Sequence, residues 1–170
     1  MAWKPDPEDP AADAPLLITS DGARKGTEIT DGQIDLPIAD RVVCAVAVSR
    51  FTPYLRLHLW GANVPDSASG PDFTLQIEGP LRIVTKEREW TIDPESGPDP
   101  AYLRLVTKTI SRATAWADGS LEVGFTDGDR LLVPPFEYEP WQLNGDDGSL
   151  VVSAAGGGLA VWSAATGKTD

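Results

Sequence analysis

The groups able to do chemistry are few in this 170-residue chain, and their spacing limits what they can do. Its one histidine, His58, alternates with Arg56 along Leu55-Arg-Leu-His-Leu59, which sets both on a polar strand face toward solvent or an interface. No Gly-x-Ser-x-Gly elbow occurs to supply a nucleophile beside it. A transition-metal site draws on several His or Cys ligands, and the chain has one of each. The run Ala154-Ala-Gly-Gly-Gly158 lacks the Lys-Ser/Thr that completes a phosphate loop, so it reads as a turn. Carboxylates remain. Glu137 and Glu139 flank Tyr138 close to Trp141, as in a paired-carboxylate hydrolase that holds a sugar against aromatics. Residues two apart share a face in any acidic strand, however, so the spacing alone carries no reaction. Asp127-Gly-Asp129 and Asp146-Asp-Gly148 lack the alternating oxygens and distal Glu of a calcium loop and read as turns. No catalytic residue, cofactor or metal is expected.

Charge points to a different kind of work. The formal charge is −12, with −6 over residues 1–40, +1 over 41–112 and −7 over 113–170. Acidic ends repel phosphates and anionic lipid and attract a basic protein, so a protein partner is expected, with no nucleic acid and no membrane. No run approaches the ~18 apolar residues of a membrane span. The N-terminus, Met1-Ala-Trp-Lys-Pro-Asp-Pro-Glu-Asp-Pro10, has acids and prolines where a signal peptide has an apolar core. A cytoplasmic location is expected. Cys44 lies in Val42-Val-Cys-Ala-Val-Ala-Val48 and reads as a small buried hydrophobe with no disulfide partner.

The elements that must position these groups are strands. Leu55, Leu57 and Leu59 alternate with Arg56 and His58; Phe73, Leu75 and Ile77 with polar residues; Leu121, Val123 and Phe125 with Glu122 and Gly124. That period of two marks strands with one buried and one wet face. Residues 42–48 and 151–152 are apolar throughout, as in central strands. Asp118-Gly119 and Asp127-Gly128 between such runs signal hairpins. Asp99 followed by Pro100 signals a short connecting helix near 98–107. Strands at 41–48, 54–60 and 73–78 resemble in texture those at 109–116, 120–125 and 130–133, as two similar meanders. The expected fold is mainly β, an antiparallel β-sandwich or rolled barrel. A disordered arm over 1–15 precedes a single domain over 16–162, with diverged halves at 41–93 and 109–162, and a tail over 163–170 follows.

The segments Leu121-Glu-Val-Gly-Phe-Thr-Asp-Gly-Asp-Arg-Leu-Leu-Val133, Tyr138-Glu-Pro-Trp-Gln-Leu143 and Gly156-Gly-Gly-Leu-Ala-Val-Trp162 carry a family resemblance. They resemble a family of small uncharacterised actinobacterial β proteins with a Tyr-Glu-x-Trp segment and a Gly-Gly…Trp terminal strand. Pro140 fills the variable position here, and Ala154-Ala155 stand where that family often has proline. Similar small β proteins serve as immunity partners of bacterial toxins, which implies that role and brings no catalytic residues with it.

The expected function is therefore a non-enzymatic protein-binding module that neutralises a basic toxin or nuclease. Its expected contact residues are Glu137, Tyr138, Glu139, Asp146 and Asp147. Trp141 and Trp162 are expected to pack in the core. Two other readings stand beside this one. One is a small-molecule-binding barrel or minimal hydrolase with a pocket lined by Trp60, Trp90 or Trp116. The other is a homo-oligomer subunit joined through sheet edges.

Overall fold

The computed structural model describes residues 16–19, 22–48, 54–61, 71–96 and 99–163, with side chains from Gly26 onward. The expected arm over 1–15 and all but the first residue of the expected tail lie outside the described residues. Strands account for most of what is described. A ribbon of β1 (Leu16–Thr19) and β2 (Gly22–Lys25) precedes the short strands β3 (Thr27–Ile29) and β4 (Gln33–Asp35). A meander of β5 (Arg41–Val48), β6 (Leu55–Gly61) and β7 (Phe73–Ile77) leads to the hairpin β8 (Leu81–Val84) and β9 (Glu89–Ile92). A second meander, β10 (Ile110–Trp116), β11 (Leu121–Phe125) and β12 (Arg130–Val133), is followed by a third, β13 (Trp141–Gly145), β14 (Leu150–Ser153) and β15 (Leu159–Trp162). No helix among the described residues is long and apolar enough to cross a membrane.

Beyond the β1–β2 ribbon, two antiparallel sheets hold these strands. One runs β3-β15-β14-β13-β7-β6-β5 and the other β4-β10-β11-β12-β8-β9. The fold is the expected sandwich, and the sheets stay separate rather than closing into a barrel. The two anticipated meanders fall in different sheets, and each hands the chain to the opposite one. Exchanging β5–β9 with β10–β14 converts the order β5-β6-β7-β13-β14 into β10-β11-β12-β8-β9, so the halves hold interchangeable places.

Alternation builds the core. Leu55, Leu57 and Leu59 from β6 and Leu75 and Ile77 from β7 are buried in one cluster with Val123, Leu131 and Val133 from the facing sheet. Each such side chain contributes about 1.5–3 kcal/mol on leaving water. The N-terminal approach to β10 is bonded to β5, through Val43 N–H to Lys108 O at 2.9 Å, and the turn after β10 reaches β13 and β14. There the Gly119 carbonyl accepts the Trp141 indole N–H at 2.8 Å and the Ser153 hydroxyl at 2.9 Å, all buried. So β10 runs across the strands of the other sheet, the orthogonal form of sheet packing. As expected, Trp141 is buried in the core, and Trp162 is buried as well, its indole against Gly26.

Two expectations need correction. β5 is an edge strand, not a central one; its apolar start is covered on the outer side by Thr107 N–H to Val43 O (2.7 Å) and a bridge at Val42–Thr109. Cys44 is exposed, not buried: the pairing shifts between Val43 and Ala45, and the extra residue of this bulge turns away from the core. The expected connecting helix is present as a 3-10 helix over Pro100–Leu105 with its Asp99 cap, whose carboxylate accepts the Ala101 N–H at 2.8 Å. Its six residues bury Tyr102 and Leu105, three apart, as a three-residue turn allows.

Candidate functional site

Between β12 and β13 the chain crosses from one sheet to the other, and Pro134, Pro135 and Pro140 remove backbone N–H donors from that crossing. Residues 134–139 are exposed. The Pro140 carbonyl accepts the N–H groups of Glu78 at 2.8 Å and Gly79 at 3.1 Å, which ties the crossover to the end of β7. Glycine at 79 permits this approach, since a Cβ there would lie 3.0 Å from Pro140 Cβ. A cavity of about 420 Å3 opens here, lined by Glu78, Glu95, Phe136, Tyr138, Glu139 and Ala155. The rings of Phe136 and Tyr138 meet edge-on, 6.0 Å between centroids, and Tyr138 is 69% exposed. Glu137 and Glu139 make no ion pair or side-chain hydrogen bond among the described residues. Carboxylates beside aromatic faces form a receptor for an ammonium or guanidinium group.

Of the expected contact residues, Glu137, Tyr138 and Glu139 stand together on this crossover, with Tyr138 and Glu139 lining the cavity. Asp146 and Asp147 do not join them. They lie beyond the other end of five-residue β13, about 17 Å away at ~3.4 Å per residue. The Asp147 carboxylate accepts the Ser149 N–H at 2.9 Å and hydroxyl at 2.6 Å, and those bonds lower its pKa. The Asp146 N–H donates to Asp72 O at 2.9 Å.

The Asp-Gly pairs are hairpin turns of one design. Asp118, Asp127 and Asp147 each accept the N–H two residues on, and the following glycines have φ of +97°, +93° and +89°. In the second turn Asp127 and Asp129 both grip the Lys108 ammonium, the latter at 2.7 Å. Burial alone would lower the Lys108 pKa, but the two carboxylates outweigh it and the net shift is upward. The hydrogen bond from Lys108 holds Asp127 below its ordinary value. No three or more His, Cys, Asp or Glu side chains gather as a metal site among the described residues.

His58 lies on the outer face of the seven-stranded sheet, 6.3 Å from the Trp60 ring, and burial followed by the Arg56 charge lowers its pKa. The three tryptophans named as alternative pocket linings have different surroundings. Trp60 pairs with Val42 at a sheet margin; the Trp90 ring has the guanidiniums of Arg88 (4.4 Å) and Arg104 (4.6 Å) over it. Trp116 lines a cavity of about 390 Å3 on the outer face of the six-stranded sheet. Sequence reasoning did not find Glu78, Glu95 or Phe136. The proline bracket around Phe136 and Tyr138 was the available signal for the last. Nor did it single out Tyr102, whose buried hydroxyl has no hydrogen-bond partner among the described residues. Its pKa is pushed up to about 12 by burial and by the charges of Asp99 and Asp93.

A family model described as a family of unknown function, DUF6188, matches residues 35–163. The chain belongs to the DUF6188 family. The match begins at the last residue of β4 and ends just past β15, so it takes in β5 to β15 and every lining residue of the acidic–aromatic cavity. No curated protein and no solved structure matches this DUF6188 chain.

Proposed function

We propose that the chain is a non-enzymatic protein-binding module whose acidic–aromatic end receives a basic side chain of a protein partner. The observation that carries this reading is the cavity where Glu78, Glu95 and Glu139 converge beside the exposed rings of Phe136 and Tyr138. Exposed aromatics with a polar tip are favoured centres of protein interfaces, and prolines on both sides of the crossover reduce the entropy lost on binding. The formal charge of −12 would hasten encounter with a basic surface and make association sensitive to salt. The same charge disfavours nucleic acid and anionic membrane as partners. The resemblance to immunity-type proteins adds the finer reading that this partner is a toxin or nuclease whose basic cleft is covered in the bacterial cytoplasm. In this reading Asp146 and Asp147 add to the long-range field and lie outside the contact.

The test compares the full chain with a Tyr138→Ala/Glu139→Gln double variant, each immobilised and exposed to extract of the native host. A stoichiometric basic protein retained by the native chain, released by salt and absent from the double variant, is expected. A partner held equally by both would remove the cavity from the contact, and recovery of bare chain alone would end the binding-module reading.

A further inference from the structure

We propose a second binding site, for a neutral sugar ring, on the outer face of the six-stranded sheet. Thr114 marks its floor. Its position in β10 turns it out of the sandwich, level with Asp35 and Glu122 on the neighbouring strands, yet it is only 4% exposed. It sits at the bottom of a well. Long side chains two residues either way, Arg112 and Trp116, form two walls; Gln33 and Glu122 form others; and Gly124, opposite Arg112, leaves the floor open because it has no side chain. The well measures about 390 Å3, within the ~300–1,000 Å3 of small-molecule sites.

Its chemistry selects the ligand class. The Trp116 indole offers a flat apolar face with a negative quadrupole, the complement of a pyranose face whose C–H bonds carry slight positive charge. Around it stand the Gln33 amide and Ser111 hydroxyl, which donate and accept, the Arg112 guanidinium, the Glu122 carboxylate, and the Thr114 hydroxyl, which donates to Asp35 Oδ1 at 3.3 Å and can still accept. The charged members already have partners. Arg112 Nε lies 3.6 Å from Asp35 Oδ1, and Glu122 Oε1 accepts from Arg130 Nη1 at 3.1 Å. An ionic ligand would compete with those pairs, whereas a polyol can use their remaining lone pairs and N–H groups without breaking them. This site is on a different surface from the acidic–aromatic cavity, and it involves none of the same residues.

The test is an NMR titration of the full 15N-labelled chain with glucose, galactose, mannose and N-acetylglucosamine, each to about 50 mM, with glycine and phosphate as ionic probes. Six tryptophans give up to six indole N–H signals, with Trp116 assigned by Trp116→Phe. A sugar should shift the Trp116 signal and leave Trp141 unmoved. Gly124→Val should weaken that response by roughly tenfold or more, since it fills the floor. The backbone there admits a side chain: the nearest atom to an added Cβ is Ser111 Oγ at 3.4 Å. The hydrogen-bonded Trp141 signal reports in the same spectrum that each variant is folded, and Thr114→Val supplies a second, isosteric probe of the floor. No shift with any of the four sugars, an equal shift in folded Gly124→Val and Thr114→Val, or a response to glycine or phosphate alone would each overturn the proposal.

Discussion

The two ends of β13 use acidic residues in opposite ways. Past its far end, Asp147 turns its carboxylate back onto the Ser149 N–H and hydroxyl, and Gly148 at φ +89° completes the turn. Before its near end, Glu139 faces a cavity and makes no ion pair or side-chain hydrogen bond among the described residues. Side-chain length matters too: Asp reaches the backbone two residues on, while the extra methylene of Glu favours reaching outward. An acid count is therefore a poor guide to a binding surface. Of these two acids, Asp147 is committed to folding and Glu139 is free to meet a partner.

Two aromatics three residues apart put the sharpest edge on that contrast. Trp141 is 1% exposed with its indole N–H on Gly119 O, and Tyr138 is 69% exposed. Trp141→Ala should cost about 3–5 kcal/mol in chemical denaturation. Tyr138→Ala should stay within about 0.5 kcal/mol and act on partner retention instead. Comparable losses from both would mean that the crossover is part of the core and would erase the distinction.

The Asp-Gly turns allow a finer cut. Gly119 and Gly128 share a left-handed backbone, so alanine at either costs about 1–2 kcal/mol of strain. At 128 an added Cβ meets nothing within 4 Å, but at 119 it would lie 2.8 Å from the buried Ser153 Oγ, which bonds to the Gly119 carbonyl. Gly119→Ala should therefore lower the denaturation midpoint clearly more than Gly128→Ala. Equal effects would mean that Ser153 moves aside freely and that this turn does not pin the sheets together.

Much of the frame could be read from the chain because each rule involved is local. The alternation at Leu55–Leu57–Leu59, the Asp-Gly hairpins and the Asp99-Pro100 cap depend on neighbours in sequence, and all three are present. The pairings β7–β13 and β12–β8 bring together residues far apart, and no periodicity encodes them. The same gap explains β5: an apolar run looks alike whether strands flank it on both sides or a single crossing segment covers half of one edge. It also explains the cavity. Glu137, Tyr138 and Glu139 were visible as a cluster, while Glu78, Glu95 and Ala155 arrive from three other segments. Gly124 was legible as a polar-face residue, but its place at the bottom of a well depends on side chains from β4 and β10.

The smallest effect tests whether a turn acid that also holds a cation behaves differently from one that only caps. Asp127→Asn keeps the oxygen that accepts the Asp129 N–H at 2.9 Å but removes the charge facing Lys108. Asp127 is 48% exposed on its side chain, so the loss should fall within the ~0–1 kcal/mol of solvent-screened pairs. The pH dependence makes this small difference readable. The folded pKa of Asp127 is below 3.8, so its contribution is present above that value and is lost as pH falls through the folded value. The Lys108 pKa is raised above 10.5, so the partner charge is present below 10.5 and is lost as pH rises through its folded value. The stability gap between native chain and variant should therefore stay level through neutral pH, close in acid below 3.8 and close again in alkali above 10.5. A gap that persists unchanged in acid would assign the loss to the cap geometry, making Asp127 a turn residue of the same kind as Asp147.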